Sequence, residues 1–130
     1  MLVRDARNGD INKVDGLYRD FCKELGTSTD TPPVIVVDKF VVCELFDDLI
    51  GYGTAKAVVY DGKGYSQGEH LYVRPEFRGT WAAGLMYKEL CRWGKSQGKP
   101  FILLSAPEEL EMWLRRGYKP IGYIMVKEIK

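Results

Sequence analysis

The stretch LYVRPEFRGTWAAGLMYKEL, residues 71–90, carries side chains whose types and spacing could do chemistry. An apolar run ends at Pro75, Arg78, Gly79 and Thr80 follow, and a helix-forming sequence opens at once with Trp81, Ala82, Ala83 and Gly84. A helix that starts there leaves its first N–H groups unpaired and presents the positive end of its dipole, which suits a pyrophosphate. Arg78 adds a full charge and a rigid donor fork, and Thr80 a hydroxyl able to cap the helix or touch a phosphate oxygen. Arg-Gly pairs are common, so the fragment alone reads first as an ordinary strand-to-helix connection. Just upstream lie Gln67, Glu69 and the single histidine, His70. Strand alternation predicts Gln67, Glu69, Leu71 and Val73 on one face and His70, in a structural role, on the other.

Two nucleotide-binding signatures are missing from this unit. There is no GxGxxG, and no Gly-Lys-Ser/Thr follows the turn, so neither a Rossmann fingerprint nor a P-loop is present. Nineteen basic against eighteen acidic residues leave a net charge of +1, with no Lys/Arg block to mark a nucleic-acid footprint. Cys22, Cys43 and Cys91 are odd in number, far apart and set in apolar stretches, which predicts buried free thiols rather than disulfides. With His70 they match no recognised metal-ligand spacing, so no metal is expected. No apolar run reaches membrane-spanning length and MLVRDARNGD lacks a signal-peptide core, so a cytoplasmic setting without membrane contact is expected.

The elements that must position this unit are legible in outline. At 130 residues the chain suits one domain, residues 1–130. Leu2 to Arg7 reads as a strand, and a helix follows with Asp10 as N-cap, Gly26 as C-terminal glycine and an apolar stripe of Ile11, Val14, Leu17, Tyr18, Phe21 and Leu25. TSTDTPP is a loop, because its two prolines forbid a helix interior. Val34 to Tyr60, broken at Asp47-Asp48, predicts two long antiparallel strands. DGKGYSQG reads as a connection and EHLYVRP as a third strand. The helix WAAGLMYKELCRWGKSQG shows an apolar row of Met86, Leu90 and Trp93, flanked by Ala83, Tyr87, Cys91 and Gly94. FILLS is a strand of the kind buried on both faces. Ser105 and Glu108 have capping-box spacing before a helix of about Ala106 to Arg116 that ends at Gly117, and Tyr118 to Ile129 closes the chain as strand.

This succession resembles the GNAT superfamily of N-acetyltransferases over essentially the full chain. The family's motif A is a strand ending in Val-x-Pro, then Arg/Gln-x-x-Gly-x-Gly/Ala opening a long helix. Val73-Arg74-Pro75 and Arg78-Gly79-Thr80-Trp81-Ala82-Ala83 match it in all but one place, and Arg115-Arg116-Gly117-Tyr118 resembles the family's Lys-x-Gly-Phe ending. The resemblance implies an α/β (α+β) fold: a central mixed, mostly antiparallel sheet with splayed middle strands, flanked by about three helices.

It also implies acetyl-CoA as donor and a primary amine, on a small molecule or a protein, as acceptor. Backbone groups of Leu71, Tyr72 and Val73 would then pair with the pantetheine arm, and the Val73 N–H would polarise the thioester carbonyl. Arg78, Gly79, Thr80, Trp81, Ala82, Ala83 and Gly84 would form the pyrophosphate cradle. An ammonium with a pKa of about 10.4 must lose a proton before it attacks, and the family's base positions fall on Glu69 and Gln67, of which Glu69 is the candidate base. The first helix and its loop, Tyr18 to Pro33 with Asp20, Glu24 and Asp30, and the segment Gly117 to Tyr123 would shape the acceptor site.

Two departures accompany the match. Trp113 stands where the family often has a tyrosine acid, and its indole N–H is no acid of useful pKa; Tyr118 and Ser105 are the residues whose position would compensate. Trp81 stands where the motif has a glycine, so its indole would shield the pyrophosphate, stack on the adenine, block the site or simply pack. The alternative reading is therefore a catalytically silent GNAT-like binding or structural protein, of the kind a phage encodes. The sequence leaves a homodimer open.

Overall fold

Val, Ile, Phe and Tyr crowd the stretch from Lys39 to Val73, and they form consecutive antiparallel strands. In the computed structural model, which describes residues 1–26, 37–103 and 110–120, these are β2 (Lys39–Leu45), β3 (Asp48–Tyr60) and β4 (Lys63–Val73). β1 (Leu2–Asp5) pairs antiparallel with β2, and β5 (Phe101–Leu103) pairs parallel with β4. The sheet order is β1-β2-β3-β4-β5. Helix α1 (Ile11–Leu25) packs on one face, α2 (Ala82–Ser96) on the other, and α3 (Leu110–Arg115) follows β5.

The two faces bury two clusters. Val14 and Leu17 of α1 meet Val42, Leu49, Tyr52 and Tyr72. Ala82, Met86 and Leu90 of α2 meet Val41, Cys43, Ile50, Ala55 and Val73. Strand alternation produces this division, since Tyr72 and Val73 are neighbours in sequence and belong to opposite clusters. Gly51 lets α2 approach, because a Cβ there would stand 2.6 Å from the Tyr72 carbonyl oxygen and 2.9 Å from Met86 Cε.

Several expectations need correction. DGKGYSQG is not a connection. Only Asp61-Gly62 turns the chain, with φ of 53° and 73°, and β4 already starts at Lys63. An Asp-Gly pair closes a two-residue hairpin because both central residues take positive φ, and the later glycines are strand residues that admit neighbours. Gly64 faces the Lys99 side chain and Gly68 faces Leu103 and Phe101, for example.

Asp10 stands at the N-cap position of α1 but does not cap it. Its carboxylate accepts the Arg7 N–H at 2.8 Å and both Arg4 Nη atoms at 2.8 and 3.0 Å. A nearby guanidinium outcompetes the helix amides for it, and the Arg4 hydrogen bonds are the main reason its pKa falls to about 2. Ile11 and Leu25, at the two ends of the expected stripe, are exposed, and so is Ala83 on α2, because its neighbour Ala82 takes the face turned to the sheet. β5 is half-buried rather than covered on both faces. Gly26 does end α1 in the left-handed conformation, with φ of 71°. The TSTDTPP loop, residues 34–36, the Ser105–Glu108 capping box and residues 121–129 of the closing strand lie outside the described residues.

Candidate functional site

β4 runs for eleven residues, and the described part of β5 pairs with it from Ser66 to Gly68. Among the described residues the β4 edge from Glu69 to Val73 has no strand beside it. The hydrogen-bond phase decides which backbone groups face that edge. Arg74 N–H donates to the Ile50 carbonyl across the β3 side, and the Tyr72–Tyr52 pair two residues back shares its phase. Leu71 and Val73 therefore turn their N–H and C=O outward to the open edge, whereas the Tyr72 backbone is engaged with β3. Of the three residues whose backbone the resemblance offers to an extended ligand, Leu71 and Val73 turn theirs to that edge and Tyr72 does not.

The chain leaves β4 through a 3₁₀ turn at Pro75–Phe77 and enters α2 through Arg78 to Trp81. Gly79 has a φ of 82°, a conformation that excludes most side chains, so this glycine is required by the turn itself. Thr80 Oγ1 donates to the Phe77 carbonyl at 2.5 Å and lies 3.4 Å from the Ala82 N–H. The first intrahelical bond runs from Leu85 N–H to the Trp81 carbonyl, so the amides of Ala83 and Gly84 face out of the helix start while that of Ala82 donates to Thr80 Oγ1. A Cβ at Gly79 or Gly84 would meet nothing within 4 Å. An open cradle of amides at the positive end of a fifteen-residue helix fits a phosphate group. Trp81 is 81% exposed beside it, which removes plain packing as the account of this residue.

Glu69 is where the structure departs most from the alternation rule. Thr54 pairs with His70 and Ala55 with Gly68, so Glu69 is the extra residue of a β-bulge. The bulge resets the alternation. Glu69 Oε1 lies 2.8 Å from Gln67 Nε2 and 3.0 Å from Lys56 Nζ, on the face that carries α1, while Leu71 and Val73 point toward α2. The expected common face of Gln67, Glu69, Leu71 and Val73 is thus corrected. Gln67 is buried and oriented at its other end by the Tyr60 hydroxyl, which donates to Oε1 at 2.7 Å. Lys56 was not legible as a partner of Glu69, nor Tyr60 as a partner of Gln67, because only the β3–β4 register brings them there.

His70 lies in the α1 face, stacked on Tyr18 with centroids 6.2 Å apart and bonded through Nδ1 to the Tyr52 hydroxyl at 3.1 Å. Burial lowers its pKa, and Glu69 opposes this weakly. Arg78 does not reach into the cradle. Its Nη2 meets both carboxylate oxygens of Glu24, its Nε donates to the Val73 carbonyl, and its guanidinium lies over the Tyr72 ring. Trp113 packs edge-on against Tyr118, and the Tyr118 hydroxyl pairs with that of Tyr87 on α2. Burial raises the Tyr118 pKa. Ser105 lies outside the described residues.

Among the described residues no group of three or more His, Cys, Asp or Glu side chains is placed to hold a metal, and no helix is long and apolar enough to cross a membrane.

No protein-family model matches the chain, and no curated protein matches it either. Solved structures do. A putative acetyl transferase from Pyrococcus furiosus superposes with a TM-score of 0.77 at 17% identity, covering 98% of this chain and 99% of that one. A Trypanosoma brucei acetyltransferase gives 0.72 at 18%, with 98% and 99% covered. The aminoglycoside N-acetyltransferase AAC(6')-Iy, in complex with CoA, gives 0.72 at 14%, with 99% of each chain covered. The fold of this chain is that of the GNAT acetyltransferases, with the mixed, mostly antiparallel five-stranded sheet and three helices that the resemblance implied.

Proposed function

We propose that this protein transfers an acetyl group from acetyl-CoA to a primary amine. One observation carries the reading: a strand edge at Leu71 and Val73, open among the described residues, runs into an amide cradle at Gly79 to Gly84, with a carboxylate turned onto the neighbouring face by the Glu69 bulge. The co-substrate supplies the activated thioester. The outward N–H and C=O groups of Leu71 and Val73 bind its pantetheine amides as an added strand would, and the Val73 N–H stabilises negative charge on the carbonyl oxygen. The helix start binds the pyrophosphate. Glu69 accepts the proton that the acceptor ammonium must lose, directly or through one water. Gln67 and Lys56 hold its carboxylate in place. Tyr118, fixed between Tyr87 and Trp113, is the phenol that takes the acid's part where the family's tyrosine is replaced.

A second reading, a silent binding or structural module on the same fold, is favoured by the exposed Trp81 at the cradle and by Trp113. Calorimetric titration with acetyl-CoA followed by an assay against a panel of primary amines separates the two. Binding with acetyl transfer supports the enzyme; binding without transfer to any amine supports the silent module; no binding at millimolar ligand removes acetyl transfer altogether.

A further inference from the structure

Arg78 stands at the threshold of the cradle and directs its donors elsewhere. Nη2 lies 2.8 and 2.6 Å from Glu24 Oε1 and Oε2, so a carboxylate from the last turn of α1 takes the place expected of an anionic ligand. Nε is 3.0 Å from the Val73 carbonyl, one of the groups facing the open β4 edge. The Tyr72 ring lies under the guanidinium, 5.5 Å from centroid to Cζ, and the Tyr72 hydroxyl donates to Glu24 Oε1 at 3.0 Å. Two elements 54 residues apart are tied at one point, and the tie covers both a backbone acceptor and a charge that a phosphate-bearing extended ligand needs.

We propose that Glu24 is an internal anion that holds Arg78 until the ligand's phosphate replaces it, so that Glu24 sets the affinity of the cradle and its release accompanies ligand entry. Exposure decides the energetics. The two side chains are 48% and 37% exposed, so the pair is worth about a fivefold factor at most and yields to a multiply charged group at a helix start. Displacement leaves Glu24 with a partner, because the Tyr72 hydroxyl stays bonded to it. The Tyr72 pKa is pushed up to about 12 by burial and by this carboxylate, so the phenol remains a donor throughout the working range. A permanent strut between α1 and β4 would behave differently: its loss would loosen the loop and weaken binding.

The inference rests on the acetyl-transfer reading for its choice of ligand, and coenzyme A is the probe. Calorimetric titration of coenzyme A into the wild type and Glu24→Gln is expected to show three- to fivefold tighter binding by the variant. Asp20→Asn removes the same charge close to Tyr72 without a bond to Arg78, and is expected to leave affinity within twofold. In an Arg78→Met background Glu24→Gln is expected to have no effect. On the unmodified protein, hydrogen exchange of residues 20–26 is expected to accelerate when coenzyme A is added. Unchanged or weaker binding by Glu24→Gln, or slower exchange at the end of α1, overturns the inference while the acetyl-transfer reading survives. Failure of both wild type and Glu24→Gln to bind coenzyme A removes the two together.

Discussion

Glu69 owes its candidate role to one extra residue in a strand. The bulge turns its carboxylate away from Leu71 and Val73 and onto Lys56 and Gln67, where it faces the space beside α1. If this carboxylate is the base, Glu69→Gln lowers kcat by about 10²- to 10⁴-fold and leaves the dissociation constant for coenzyme A within about twofold, read by steady-state kinetics and calorimetry. An equal loss in both would assign the residue to structure. Trp81 gives a second prediction at this scale. With 81% of its surface exposed it stabilises little, so Trp81→Ala shifts unfolding free energy by less than about 0.5 kcal/mol in urea titration. Its effect on coenzyme A then reports on the ligand alone: weaker binding identifies stacking, and tighter binding identifies obstruction.

At the scale of elements, two contacts fix how the site is framed. Gly51 lies where α2 crosses β3, and a methyl group there meets a backbone carbonyl at 2.6 Å, which cannot swing aside as the Met86 side chain can. Gly51→Ala is expected to cost about 1–3 kcal/mol, measured by denaturant unfolding. Asp10 joins β1 to the turn before α1 through Arg4 and the Arg7 amide. Its pKa is about 2 in the fold against 3.8 for the free side chain, so the stabilisation is complete above about pH 4 and is lost as the pH falls toward 2. Asp10→Asn is therefore expected to lower stability by about 1 kcal/mol at pH 7, with the gap closing in unfolding curves taken from pH 4 to pH 2. The helix α1 itself was readable from its apolar period and Gly26. The use of Asp10 was not, because an N-cap and an arginine partner ask for the same residue type, and the choice depends on where β1 places Arg4.

For the whole molecule, the proposed binding of coenzyme A would make ligand binding and folding one linked equilibrium. Leu71, Val73 and the α2 amides come from a strand edge and a helix start that the unfolded chain does not possess. Coenzyme A at a hundredfold excess over its dissociation constant is expected to stabilise the fold by about 2.7 kcal/mol, read as a thermal shift that grows with ligand concentration. A shift that saturates at once, or none, would contradict a site built only in the native state.

The sequence by itself determined the order of elements, the helix that starts after Arg78-Gly79-Thr80, and the strand that leads into it. These follow from local rules: apolar period, turn residues and the unpaired amides of a helix end. Tertiary structure decided the rest. Local alternation assigned Glu69 to the face of Leu71, and the β3–β4 pairing inserted a bulge that moved it. Motif spacing offered Arg78 to a phosphate, and the packing of α1 brought Glu24 to within 2.6 Å of it. Face and partner depend on which distant segment arrives alongside, and that is a property of register and packing rather than of neighbours in the chain.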